Sequence, residues 1–159
     1  MGWNTSALFV RDVSAADAVA VLAPATQDPG DAPVGADEAT SGLADGVLFA
    51  AEAGGWAQVW DPSMELAPAC DPPGTALTVV FSSVTSSYAF TLFADGEVVR
   101  ELVFVDGEPV VDTGTPLPVE ESVEVPSWGP DEDFLWSVIE AVTGAGYQET
   151  QQFHRWHRR

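Results

Sequence analysis

The chain has 159 residues, 25 of them acidic and five basic, for a formal net charge of −20. A field of that sign repels nucleic acid and anionic membrane, so neither is an expected direct partner. A hydrophobic content of 46% belongs to a folded chain and not to a disordered one, and the length suits a single globular domain over residues 1–159.

Cys70 is the sole cysteine, which excludes an intrachain disulfide and fits a reducing, cytoplasmic setting. The apolar start is interrupted by Arg11 and Asp12, unlike a signal peptide. No apolar run approaches the roughly 20 residues needed to span a bilayer. Lysine is absent, and the Ala, Val, Gly, Asp and Arg bias is that of a high-GC coding sequence.

Residues 5–10 read as a first strand. Ser14 is placed to cap a helix over 15–23, with Ala18, Val19 and Leu22 turned inward and Pro24 beyond its end. Residues 24–46 read as a long acidic loop. Its acids, Asp28, Asp31, Asp37, Glu38 and Asp45, lack the alternating spacing of a calcium loop, so a solvated loop is expected. Residues 47–60 read as a hairpin about Gly54-Gly55 that carries Trp56 and Trp60. A loop follows over 61–75, with a helical turn expected at 63–66. Cys70 lies in its Pro-rich part without a local nucleophile motif, and reads as an inert thiol.

The clearest strand signals lie in residues 76–112. Leu77, Val79 and Phe81 alternate with polar or smaller neighbours. Tyr88, Phe90 and Leu92 do so before Asp95-Gly96, and Val98, Arg100, Leu102 and Phe104 after it. Asp-Gly supplies the positive φ angles of a tight hairpin turn, and Asp106-Gly107 repeats the signal ahead of a short strand at 109–112. A meander of sequential antiparallel strands is expected. Arg100 falls in the middle of an apolar face. A charge there either carries a carboxylate partner or forms an anion site, since a buried charge is costly alone.

Residues 114–130 contain Pro116, Pro118, Pro126 and Pro130, which argue against a central strand or a helix. Glu120, Glu121 and Glu124 cluster there. Paired carboxylates can act as acid and base on a glycoside, but adjacent glutamates in a loop read as solvated. Residues 130–144 read as an amphipathic helix with Phe134, Leu135, Val138, Ile139 and Val142 on one face, Trp136 at its margin and Gly144 at its end. The C-terminus gathers His154, Trp156, His157 and three arginines into a basic-aromatic tail over 154–159. The alternation from Tyr147 to His154 also permits a last strand. His154 and His157 are weak metal candidates, because two ligands are too few for a metal site.

The opening Met1-Gly2-Trp3-Asn4-Thr5, the run SSYAFTLFADGEVVRELVF, and the segment carrying Asp112, Gly114, Pro116, Leu117, Pro118 and Glu120 together resemble an uncharacterised protein family of high-GC bacteria. There an aromatic strand, an Asp-Gly turn, an arginine and a Gly-x-Pro-Leu-Pro-x-Glu segment follow in that order. The resemblance is clearest over residues 86–120. That family is a domain of unknown function, so the resemblance implies no reaction and no site. The chain departs from it in the acidic loop and the basic tail. Small acidic α+β proteins of such bacteria are often immunity or antitoxin-like partners of other proteins, an analogy from fold and charge alone.

The expected architecture is α+β: an antiparallel meander sheet of about six to eight strands packed by two helices, 15–23 and 130–144. The expected core includes Phe9, Leu22, Phe49, Val79, Phe81, Phe90, Leu92, Leu102, Phe104, Leu135, Ile139 and Val142. Three functional readings follow. An acidic interaction module, of immunity, antitoxin-like or inhibitor type, would cover a basic partner surface, through residues such as Trp56, Trp60, Glu120 and Glu121. A sharper variant is a nucleic-acid mimic, with carboxylates set in rows where phosphates would be. A small-ligand domain would instead use Arg100 as an anion site beside Tyr88, Trp56 or Trp60. Catalysis, a cofactor and a resident metal are not expected.

Overall fold

Tight turns set the order of strands. Asp95 and Gly96 have φ of 54° and 79°, Asp106 and Gly107 have 52° and 78°, and Gly54 and Gly55 have 59° and 85°. Such paired left-handed residues match the twist of the strands they join. The computed structural model describes residues 3–41, 44–123 and 129–159. In chain order the elements are β1 (Asn4–Arg11), α1 (Ala15–Leu22), β2 (Ala25–Thr26), β3 (Val34–Gly35), α2 (Ala36–Ala39), β4 (Val47–Ala53) and β5 (Trp56–Asp61). A 3-10 turn at Ala67–Ala69 leads to β6 (Ala76–Ser82), β7 (Ser87–Ala94), β8 (Glu97–Val105) and β9 (Glu108–Gly114). Then come α3 (Pro118–Ser122), α4 (Glu132–Thr143) and β10 (Gln152–Arg158).

The described residues form one antiparallel sheet of ten strands in the order β2-β10-β4-β5-β1-β6-β7-β8-β9, with β3 also paired to β10. The α+β class and the meander β6–β9 are as expected. The sheet is larger than expected because the acidic loop contributes β2 and β3, two-residue strands that exist by pairing with β10. The loop also contains α2. The basic tail is no tail: residues 152–158 form a strand held between β2 and β4.

Helices cover both faces. On the first, Phe134, Leu135, Val138 and Ile139 of α4 are buried with Phe9, Phe49, Trp60, Leu77, Val79, Phe81, Phe90 and Leu102. Asp131 caps α4, accepting from the backbone N–H of Asp133 at 3.1 Å, and Gly144 ends it at φ 83°. The helix therefore starts after the expected Pro130. On the second face α1 lies over β4, β5 and β1, with Ala18 and Val19 buried against Leu8, Val10, Leu48 and Val59. Ser14 caps it, accepting from Asp17 N–H at 3.1 Å. Of the expected core, Leu22, Leu92, Phe104 and Val142 are only partly buried.

Two local expectations are corrected. The helical turn after β5 lies at Ala67–Ala69, because Asp61 holds the preceding residues in a different turn: its carboxylate accepts from the backbone N–H of Ser63, Leu66 and Ala67. A helix also forms in the proline-rich segment. Pro118 stands at its first position, where the missing N–H had no intrahelical partner to lose. Glu124 and Pro126 lie outside the described residues.

Candidate functional site

Arg100 is where sequence and structure converge. It lies on β8 opposite Leu92, on the face that buries Leu102, and its side chain is only 3% exposed. The β8–β9 hairpin sets Asp112 opposite Leu102 and Gly114 opposite Arg100. Gly114 has φ 86°, and a Cβ there would come within 2.1 Å of the Val99 carbonyl oxygen. Only glycine lets the chain pass that close to β8. Beyond it, α3 returns over the same face and delivers Glu120.

The guanidinium is held on every nitrogen, through four hydrogen bonds. Its Nε donates to Glu120 Oε2 at 3.0 Å and its Nη2 to Oε1 at 2.6 Å, a two-pronged grip. Its Nη1 donates to Asp112 Oδ1 at 2.5 Å and to the Thr113 carbonyl at 3.1 Å. Glu120 also accepts from the backbone N–H of Leu117 at 2.7 Å, closing the first turn of α3. The hydrogen bond to Glu120 raises the Arg100 pKa above its ordinary value, Asp112 adds to this, and burial opposes it. The arrangement ties β8, β9 and α3 together. It commits four of the five guanidinium N–H groups to the chain itself, which weighs against an anion site at Arg100.

The other candidates do not gather around Arg100. Tyr88 shares its face but lies four residues along β7, about 13 Å at the rise of a strand. Its hydroxyl bonds Glu132 Oε2 at 3.0 Å and Ser83 Oγ at 3.2 Å, and burial raises its pKa. Trp56 and Trp60 lie on β5, four strand spacings from β8, or about 19 Å. Both are buried, so neither is a surface contact. Trp60 Nε1 donates to Gln58 Oε1 at 2.9 Å, and its ring stacks on Phe81 and Trp136. Trp136 is partly buried at the margin of the core, as expected, and its ring packs against this aromatic cluster. Beside it Thr40, Gln58, Tyr147 and Gln151 line a cavity of only about 20 Å³, room for a water and not for a ligand. Glu121 is exposed.

The basic C-terminus meets the acidic loop. Arg155 Nη2 donates to Glu38 Oε2 at 2.8 Å and its Nη1 lies 4.0 Å from Asp31. His157 Nε2 lies 2.5 Å from Asp31 Oδ2, and the Tyr147 hydroxyl donates to Asp37. Burial, followed by that bond, pushes the Tyr147 pKa up to about 12. His154 and His157 are three residues apart on a strand, so they point to opposite faces and cannot share a metal. Among the described residues no group of three or more His, Cys, Asp and Glu could hold one, and no helix is long and apolar enough to cross a membrane.

Sequence reasoning missed Asp61, the only buried acid among the described residues. Besides the backbone donors named above it accepts from Ser63 Oγ at 2.5 Å, so its carboxylate is structural. The Asp-x-Ser spacing after a strand was the available signal. Cys70 is half-buried, and desolvation pushes its pKa up to about 11. The thiol should therefore react slowly with iodoacetamide at pH 7 to 8 and accelerate as pH rises toward about 11. Alkylation at the rate of free cysteine at pH 8 would contradict this.

The acids are spread widely. Asp17 is on α1, Glu140 on α4 across the sheet, and Asp95, Asp106 and Glu149 in turns. Their placement on different elements weighs against the single ordered row that a nucleic-acid mimic requires. Asp12, Asp31, Glu38, Asp112 and Glu120 meet arginines; the other described acids have no arginine partner among the described residues. Comparison of the chain with family models, curated proteins and solved structures found no match.

Proposed function

We propose that the chain is an acidic protein-interaction module that binds a partner with a basic surface. The observation that carries this reading is the asymmetry of charge use. Arg100 is locked inside the fold, and Arg155 and Arg11 lie against the chain's own acids. Most of the acids among the described residues are exposed. Such a field raises the encounter rate with a cationic partner and suppresses wrong, acidic ones. The wide spread of acids favours a protein partner over nucleic-acid mimicry, and the engaged state of Arg100 argues against a small anionic ligand there. An immunity, antitoxin-like or inhibitor role is the finer form of this reading.

The test is affinity capture from a lysate of the native host at about 50 mM and about 500 mM salt, because exposed charge contacts weaken as screening rises. The expected result is one basic protein recovered in stoichiometric amount at low salt and lost at high salt. Recovery of no protein at either salt would overturn the reading.

A further inference from the structure

One half of the second sheet face has no cover. There α1 lies over β4, β5 and β1, and the 3-10 turn over β1 and β6, while β8 and β9 carry exposed valines. Val98 is 52% exposed, Val99 42%, Val105 41% and Val110 58%. Of the exposed large hydrophobic residues among those described, only Val84, in the β6–β7 turn, lies elsewhere. The pairing register joins the exposed valines to a row of half-buried apolar residues. Val80, Ala89, Val103 and Val111 are direct cross-strand neighbours on β6, β7, β8 and β9. On one side of this row come Ser82, Ser87, Val105 and Glu108, and on the other Thr78, Thr91, Glu101 and Thr113. A contiguous exposed apolar patch with a polar rim marks an interaction surface, whereas scattered single residues do not.

The rim decides what covers it. Glu97, Glu101, Asp106 and Glu108 stand on β8, β9 and the turn between them, and none has a cationic partner among the described residues. A second copy of this chain would bring the same acids against them, each copy at −20. Strand addition along β9 is also disfavoured. Pro109 cannot donate from that edge, and the β8–β9 register shifts between Val103 and Phe104, two devices that protect an edge strand. The face itself remains. The valine row crosses three interstrand spacings, about 14 Å, the length of roughly nine to ten helical residues.

Resting on the basic-partner reading above, we infer that the face of β7–β9, with Val80 at its margin, is the docking site, and that its occupant is a basic amphipathic helix of a partner protein. The helix lays an apolar stripe along the row from Val80 to Val111 and sets lysines or arginines against Glu101 and Glu108. Helix-in-groove recognition of this kind is read as apolar anchors flanked by charge.

The test is titration of the full chain with a synthetic amphipathic helix of leucine and lysine at about 50 mM salt, mapped by amide chemical shifts. A shuffled peptide of the same composition, without an apolar face, is the control. Variants are Val99→Ser with Val105→Ser, Glu101→Lys and, away from the face, Val84→Ser. All but Glu101 are exposed in the free chain, so their urea midpoints should stay near that of the native protein. The expected result is shifts on β6–β9, roughly tenfold or greater weakening for the double valine variant and for Glu101→Lys, no change for Val84→Ser, and weaker binding of the shuffled peptide. Binding that maps elsewhere, is unaffected by the double valine variant, or is equal for the shuffled peptide overturns the docking face and leaves the basic-partner reading standing. No binding of either peptide overturns both. Dimerisation of the chain that is lost in the double valine variant overturns the inference in favour of a second copy.

Discussion

Replacing Arg100 with alanine should destabilise the fold by roughly 3–5 kcal/mol, the cost of breaking a buried ion pair from one side. The reason lies in what is left behind. The Glu120 side chain is 11% exposed and grips two guanidinium nitrogens; without them its charge keeps only the Leu117 N–H. Asp112 is 60% exposed and can rehydrate, so Asp112→Ala should cost under about 1 kcal/mol, as for a surface pair. Arg100→Lys keeps the charge but loses the planar fork, and should fall between the two. The double variant Arg100→Met/Glu120→Leu should recover most of the loss, because removing both charges of a buried pair is often close to neutral. Urea unfolding midpoints at constant slope measure all four. A cost below about 1 kcal/mol for Arg100→Ala, or simple additivity in the double variant, would show that Glu120 does not depend on Arg100.

The pairing of Arg100 also shows where sequence reading ends. That this arginine needs a carboxylate follows from its place beside Leu102 and Phe104 on β8, since a charge on an apolar strand face is costly alone. The expected neighbour Val98 is instead opposite Phe93, past the register shift, on the other face. Which carboxylate does not follow. Asp112 is supplied by hairpin register, but Glu120 arrives only because Gly114 lets the chain turn against β8 and Pro118 opens a short helix. The local signals were legible where the determinant is local: the positive φ at Asp95-Gly96 and Asp106-Gly107, the Ser14 cap, and the apolar stripe of α4. The strands β2 and β3 were not. Ala25 pairs with Arg158 and Val34 with Phe153, contacts across more than a hundred residues that no periodicity in two-residue segments can announce. The tryptophans of β5 show a different failure. Residue type suggested a binding surface, whereas the strand period already placed Trp56 and Trp60 on one face, and Trp60 opposite Phe49 of its hairpin partner. The period, not the residue type, carried the information.

Trp60→Ala should be the other large loss, again roughly 3–5 kcal/mol, the range for truncating a large buried aromatic. Trp60 is fully buried, and its ring lies 6.0 Å from Phe9, 6.0 Å from Phe81 and 5.5 Å from Trp136. Truncation removes the seat on which Trp136 of α4 rests, so the loss combines transfer free energy with a cavity too well framed to collapse. Trp60→Phe should cost less, about 1–2 kcal/mol, because it keeps the stacking but gives up the Nε1 bond to Gln58. Trp136→Phe offers the informative contrast. Its Nε1 is buried with no acceptor, so the substitution sheds a desolvated donor along with some ring area, and these oppose each other. The expected order of cost is therefore Trp60→Ala, then Trp60→Phe, then Trp136→Phe, read from urea midpoints and from the near-ultraviolet circular dichroism of the aromatic cluster. If Trp136→Phe proved the more damaging of the two phenylalanine variants, its indole N–H would have to be bonded in solution, and the small cavity beside Thr40 and Gln58 would be the place to look for the acceptor.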